Sequence, residues 1–286
     1  MRILLAALCL FWGSTAWAQS LSLATFNVES DVDTQPELVA TDLTRISPLH
    51  LWALQEVEDQ ATLDLFVSAL NEATGFSYTG QLGTRGSEWG DHLAFIYLAE
   101  AFQDVSIVEL EEVGGSRWPL LMTATNWSGQ ELAFVNVHFN RGNETVRQGQ
   151  SRRLREWIEE NQDLAIIALG DFNFDFDFRG ARQGGNRAFS IFARGGVASW
   201  PQPICMANDN CPATGTQCNP RYQNMLDFVF LAGTAKQWNA ISQLAFLEEN
   251  YCRREADGYA DHRPVLAQIA LPAPSATDTG PAAAQR

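Results

Sequence analysis

Lysine is nearly missing from this chain. Lys236 is the only one in 286 residues, and the formal net charge is −15. So acidic a surface does not hold nucleic acid or an anionic membrane by diffuse attraction. The cations present are arginines, and they are bunched. Arg141, Arg147, Arg152, Arg153 and Arg155 lie in one segment, and Arg179, Arg182, Arg187 and Arg194 in the next, so a local basic cleft remains open. Long apolar runs are missing too, and past the N-terminus no segment is long and uncharged enough to span a bilayer. There is no CxxC pair, and no histidine close to the cysteines, to support a zinc site.

The N-terminus carries Arg2, an apolar run Ile3–Trp12 and then Ala16-Trp17-Ala18. A charged start, a short apolar stretch and an A-x-A site predict a secretory signal peptide over residues 1–18, and hence a secreted or periplasmic protein. Cys9 leaves with it. Cys205, Cys211, Cys218 and Cys252 remain, an even number that predicts two disulfides in an exported chain. Three pairings are possible. The expectation is a local Cys211–Cys218 loop and a Cys205–Cys252 bridge between distant segments. The tail, residues 272–286, is rich in Pro and Ala and predicts disorder. Residues 19–271 are read as one domain.

Asp163–Asp177, DLAIIALGDFNFDFD, is the stretch around which the rest is arranged. Its apolar run Leu164–Leu169 predicts a strand buried on both faces. Side chains alternate along a strand, so Asp171 and Asn173 share one face while Phe172 and Phe174 anchor the other. Leu21–Val28, Leu49–Val57, Met225–Leu231, Ala240–Phe246 and Pro264–Ala270 read as further strands. His92–Leu98 with Val105–Leu110 reads as a strand pair. Leu120–Trp127 with Glu131–Phe139 reads as another, joined by the turn signal Ser128-Gly129. Helical spacing marks Pro36–Ile46, Thr62–Asn71 and Glu144–Asn161, with a short helix near Ala188–Ala193. Tyr78–Glu88 reads as loop. Strands outnumber helices and many pair as hairpins, which predicts two packed sheets with helices on the outer faces.

Polar residues recur where apolar runs end: Asn27, Glu56, His138, Asn140, Asp171, Asn173, Asp227, Asp261 and His262. Such a set builds a site from the loops at one edge of a rigid sandwich. Carboxylates and amides without cysteine suit magnesium or manganese, with calcium also open. Imidazole is the usual acid or base near neutral pH. Asp227 interrupts the apolar stretch MLDFVFL, where an unpaired carboxylate is expensive.

TFNVES, LQEVED, VNVHFN, GDFNFD, LDFVFL and DHRPV follow one another in this order. In this the chain resembles the endonuclease/exonuclease/phosphatase superfamily, the deoxyribonuclease-I-like metal-dependent phosphoesterases. The resemblance implies an α+β, four-layer α/β/β/α sandwich of two mainly antiparallel sheets. It implies metal-site roles for Asn27, Glu56 and Asp261, with Glu56 the principal ligand. Asp171 matches the residue that positions or activates the attacking water, and Asn173 its partner. His262 matches the histidine on the scissile phosphate, Asp227 the carboxylate that orients it, and His138 the second histidine. Arg117 resembles a phosphate-contacting arginine. Asn140 and Arg141 match no motif and stand as further site candidates. Glu29 is open between cation and solvent, whereas Asp175 and Asp177 are assigned to solvent. Arg147–Arg155 is read as a charged helix face paired with Glu156, Glu159 and Glu160.

These residues make the expected activity a secreted, monomeric, divalent-metal-dependent phosphodiesterase acting on DNA or RNA. Arg179 and Arg182 are expected to meet the substrate, and no stable membrane association is expected. The alternatives are a sphingomyelinase-like phospholipase, an inositol-phosphate phosphatase, or a binding protein that keeps the fold without activity.

Overall fold

A computed structural model describes residues 20–29, 34–87, 90–179, 183–213, 215–219, 221–248, 250–254 and 257–273. The expected leader, residues 1–18, lies outside these residues, as does the expected tail apart from Pro272 and Ala273. In chain order the strands begin with β1 (Ser20–Asn27), β2 (Leu51–Val57), β3 (Tyr78–Leu82) and β4 (His92–Leu98). Next come β5 (Phe102–Glu109), β6 (Leu120–Asn126), β7 (Glu131–His138) and β8 (Ala165–Phe176). The last are β9 (Ala198–Ser199), β10 (Met225–Gly233), β11 (Ala240–Leu244) and β12 (Val265–Ala270). They form two six-stranded sheets, ordered β11-β12-β1-β2-β4-β3 and β5-β6-β7-β8-β10-β9. The helices are α1 (Pro36–Arg45), α2 (Gln60–Thr74), α3 (Glu144–Glu160), α4 (Arg187–Ala193) and α5 (Ile204–Ala207).

Alternation along the strands sorts the core. Leu21, Leu23, Leu51, Ala53 and Phe95 of the first sheet join the large cluster that includes the second sheet. Their neighbours Ala24, Phe26, Trp52, Leu54 and Ile96 pack instead under α1 and α2, against Val39, Leu43, Leu63 and Phe66. This is the period of two expected when both faces of a sheet are covered, and the layers are α/β/β/α. On the second sheet Phe172, Phe174, Phe228 and Phe230 pack with Phe192 of α4. Helices α2, α3 and α4 begin where a side chain supplies the missing bond. Asp59 accepts from Thr62 N at the start of α2, and Asn143 accepts from Val146 N at the start of α3.

Each sheet is antiparallel except for one central pair, β1 with β2 and β7 with β8. Parallel neighbours need a crossover, and α1 and α3 provide it. The crossovers bring the ends of β1, β2, β7 and β8 to one end of the sandwich. Behind that end a buried polar link ties the sheets together. Gln55 Nε2 donates to Asn136 Oδ1 at 2.7 Å, and Asn136 Nδ2 donates to the carbonyls of Leu54 and Ala94.

Three expectations are corrected. Tyr78–Leu82 is a strand, at the edge of the first sheet beside β4. β4 and β5 are not partners: β4 pairs with β2 and β3, while β5 pairs with β6 in the other sheet. The chain changes sheet through the turn Ala99–Ala101. The disulfides are Cys205–Cys211 and Cys218–Cys252, with Cα atoms 4.4 and 5.0 Å apart. The short turn of α5 folds Cys205 back on Cys211, leaving Cys218 to meet Cys252.

Candidate active site

Strand register gathers the polar residues. Asn27 and Glu56 stand at the ends of the parallel strands β1 and β2. Within β7–β8, His138 is paired with Asp171, and Asp171 is paired in turn with Asp227 of β10. Asp261 and His262 arrive just before β12, the antiparallel neighbour of β1. The strand geometry does continue past Gly170, so Asp171 and Asn173 both turn into one cavity and the intervening phenylalanine turns away. Gly170 makes this possible: its φ is +143°, and an added Cβ would sit 2.0 Å from Val137 O. Glu29, Glu56, Asn173 and Asp175 all take positive φ, between 41° and 59°. In side-chain-bearing residues that conformation costs about 1 kcal/mol or more, and here it re-aims polar groups at the strand ends.

The cavity, about 160 Å³, is lined by Asn27, Glu29, Glu56, His138, Arg141 and Asp171, and across from them by Asn173, Gln217, Tyr222, Asp261 and His262. His262 Nδ1 donates to Asp227 Oδ2 at 2.8 Å, and Asp227 is fully buried. Burial alone would lower the proton affinity of His262. The charges of Asp227 and Asp261 outweigh it and hold His262 well above the ordinary histidine range. His138 is the opposite case: burial, then the charges of Arg117 and His262, push it well below that range. Its Nε2 lies 3.5 Å from both Glu56 Oε1 and Asp171 Oδ2. With the ring neutral these are loose polar contacts, not ion pairs. The two histidines are thus driven apart, His262 toward the cationic form and His138 toward the neutral one.

The carboxylates are crowded. Burial, then Asp261 and Glu56, raises Glu29 to about 8. Burial, then Asp227, raises Asp171 to about 8 against the opposing charge of His262. Burial also raises Glu56. Asn27 Nδ2 donates to Glu56 Oε1 at 3.0 Å and reaches Asp171 Oδ2 at 3.5 Å. Carboxylates this reluctant to ionise are an oxygen-donor set short of positive charge, which is what a hard divalent cation supplies. Asp171, Asp227 and His262 also bring ligand atoms within 4.8 Å of one another. Asp227 Oδ2 and His262 Nδ1 are engaged with each other, and the carboxylates that line the cavity itself are those of Glu29, Glu56, Asp261 and Asp171.

The sequence model of the Endonuclease/Exonuclease/phosphatase family matches residues 24–248. The chain belongs to this family. Its members are phosphoesterase hydrolases that typically use divalent metal ions. No curated protein matches the chain by sequence. Among solved structures, the chain is similar to the catalytic domain of human Nocturnin with bound sulfate, at TM-score 0.63 and 15% identity, covering 87% of this chain and 94% of that one. It is similar to the Bacteroides thetaiotaomicron mannosyl-6-phosphatase at 0.60 and 17%, covering 88% and 100%. It is also similar to humanized D. rerio TDP2 at 0.61 and 20%, covering 88% and 99%. At such identities the likeness is one of fold, the sandwich of this family.

Around this cavity the arginines divide. Arg117 does not line it. Its Nε and Nη2 hold the two oxygens of Asp91, and its charge acts on Glu56 and His138 from behind. Asn140 does not line it either. Its Oδ1 accepts from Asn143 N, and its backbone is held by Gln150 and Arg147. Arg179, expected to meet substrate, is spent on Asp177, Gln223 and Asn224 and fixes the loop before β10. Arg182 lies outside the described residues. Of the charged face of α3, Arg155 pairs with Glu159, while Arg147 is buried and caps the carbonyls of Asn140 and Arg141. Asp175, assigned to solvent, instead accepts from Arg141 at 2.7 Å. Sequence reasoning missed Gln217 and Tyr222. Gln217 Nε2 donates to Asp261 Oδ2, and Cys218 N donates to Asp261 O, so the disulfide-anchored loop steadies Asp261.

Proposed function

We propose that the protein is an exported, divalent-cation-dependent phosphodiesterase that cleaves nucleic acid. The observation that carries this is the buried Asp227–His262 pair opening onto the same small cavity as Glu29, Glu56, Asp171 and Asp261. A cation held by Asn27, Glu29, Glu56 and Asp261 would, when bound, neutralise phosphoryl charge and acidify water. The chain's own residues do the rest. The backbone amide of Asn173 fixes Asp171 Oδ1 at 2.9 Å, which, in the ionised form of Asp171, leaves Oδ2 to take a proton from the attacking water. His262 is cationic, kept in place through Nδ1, and offers Nε2 to the phosphoryl oxygen that gains charge. His138 is neutral and can donate a hydrogen bond without adding charge.

An anionic diester is further supported by Arg141, among the described residues the one arginine lining the cavity of a chain with net charge −15. Export is supported by the leader pattern at residues 1–18 and by the two disulfides. No described helix is long and apolar enough to cross a membrane. The test is a substrate panel of single- and double-stranded DNA, RNA, sphingomyelin, inositol phosphates and mannose 6-phosphate. It is run in EDTA and again after adding Mg²⁺ or Mn²⁺. Cation-dependent release of oligonucleotides is expected. Full activity in excess EDTA would refute the cation, and hydrolysis confined to the lipid or the monoesters would refute the nuclease.

A further inference from the structure

Tyr222 lines the catalytic cavity yet is 37% exposed. Its ring carries the Arg141 guanidinium, with Cζ 4.2 Å from the ring centroid. Arg141 is also held from a second side: Nη1 donates to Asp175 Oδ1 at 2.7 Å and to Asn173 Oδ1 at 3.2 Å. Among the described residues Nε and Nη2 have no partner. The guanidinium is therefore fixed by one nitrogen and one face, and presents a donor edge to whatever fills the cavity.

The lining of the cavity decides what suits it. Its walls are carboxylates, amides, Arg141 and two imidazoles, and among the described residues the only carbon-rich side chains on them are Tyr222 and Leu226. Such a lining, with the cation it would hold, suits a phosphoryl group and offers a nucleobase little to pack against. The place for a base attached to the reacting phosphate is the rim, where the half-exposed ring of Tyr222 stands. The loop that carries this ring is fixed in advance. Cys218 is bonded to Cys252, Tyr222 N donates to Asn219 O at 2.9 Å, and Arg179 grips Gln223 and Asn224. A ring held this way loses little freedom when a base stacks on it.

We propose that Arg141 and Tyr222 form a nucleotide subsite, an inference that rests on the nuclease reading above. Arg141 takes a non-bridging phosphate oxygen, and Tyr222 stacks on the base next to the scissile bond. Bases inside a duplex have both faces covered by their neighbours, so a stacking ring selects an unpaired base. The substrate class is therefore single-stranded nucleic acid, or a frayed strand end, in preference to intact duplex.

The test compares wild type, Tyr222→Phe and Tyr222→Leu on three substrates with saturating Mn²⁺. These are a single-stranded oligothymidylate, the same strand in a duplex, and a single strand of the same length built from abasic units. Stacking on an aromatic side chain is worth roughly 5- to 150-fold per base. Wild type is expected to favour the base-bearing single strand over both others in kcat/KM. Tyr222→Phe keeps that preference, and Tyr222→Leu brings the ratio of base-bearing to abasic strand close to one. If oligonucleotides are cleaved but Tyr222→Leu keeps the wild-type ratio, or wild type cuts duplex faster, the subsite is refuted and the nuclease stands. If no oligonucleotide is cleaved while another phosphoester is, the nuclease reading falls and the subsite with it.

Discussion

Replacing Asp227 by Asn exchanges one oxygen for an NH₂ group and keeps the shape of the contact with His262. The amide can still accept the Nδ1 hydrogen across the 2.8 Å contact. What it cannot supply is charge. Asp227 is the foremost of the charges that hold His262 above the histidine range, and burial is the larger single influence pulling the other way. With Asp227 neutral, burial gains the upper hand and His262 is expected to lose its proton near neutral pH. The reaction then lacks its fixed cation on the phosphoryl oxygen. Acid–base and electrostatic groups of this kind are worth about 10²–10⁴-fold, so kcat on bis(4-nitrophenyl) phosphate should fall by about that factor. Folding should suffer less. Among the described residues Asp227 Oδ1 already lacks a partner, and a buried unsatisfied group costs about 1–3 kcal/mol with either side chain. The net stability loss is expected to stay near 1 kcal/mol, which for a domain of this size lowers Tm by about 2–4 °C. The assay is kcat from pH 5 to 9 with saturating Mn²⁺, with the ¹⁵N shifts of the histidine rings reporting protonation. A kcat within threefold of wild type, with His262 still doubly protonated, would refute the reasoning.

Two further outcomes follow from the geometry. Without a cation, Glu29 and Asp171 hold protons up to about pH 8. A carboxyl whose folded value is raised contributes stability that is complete below its unfolded value of about 4 and lost as pH rises through about 8. In EDTA, Tm should therefore fall between pH 6 and 9, and saturating Mn²⁺ should remove the fall; a Tm in EDTA that does not change over this range contradicts the crowded-carboxylate picture. Gly170→Ala puts a methyl 2.0 Å from Val137 O at φ +143°. Strain and overpacking together cost about 3–5 kcal/mol, read as a Tm drop of roughly 10 °C or more in calorimetry, and a loss under about 1 kcal/mol would show that β7 and β8 can part there freely.

Much of this was legible in the sequence because strand ends are marked twice, by a break in the apolar run and by a polar residue. Asn27, Glu56 and His138 are of that kind, Asp171 and Asp227 interrupt apolar runs within β8 and β10, and the structure brings all five to one cavity or its wall. β3 was not legible because it is an edge strand with no alternation. Its Gly80 lies under Leu63 and Val67 of α2, so burial there is set by the helix and not by the strand's own side chains. The β4–β5 error has a similar cause: two apolar runs close in sequence look like a hairpin, and nothing local announces a change of sheet. Disulfide partners depend on distance in space, which spacing along a loop does not report. Arg179 shows that charge does not give direction, since Asp177 two residues earlier captures it. Tyr222 and Gln217 lie in a loop without periodicity, and no signal in the sequence separates them from their neighbours.

The two sheets follow one plan. Read from corresponding edges, β11-β12-β1-β2-β4-β3 and β5-β6-β7-β8-β10-β9 set the same features in the same order. A parallel pair stands at each centre, and an antiparallel strand flanks it on either side. Overlaid on this plan, Asn27 at the end of β1 falls on His138 at the end of β7. The stretch before β12, with His262, falls on the stretch before β6, with Arg117. Asp227 near the head of β10 falls on Asp91 just before β4. The Asp227–His262 pair thus has a topological twin in Asp91–Arg117. The cavity lies where the two sheets meet, and each sheet places an acid beside a cation at its edge or behind it. One cation is an imidazole, which exchanges protons, and the other a guanidinium, which never does. That single difference breaks the symmetry of the centre: one half puts a proton-trading group on the cavity wall, and the other keeps a fixed charge behind it.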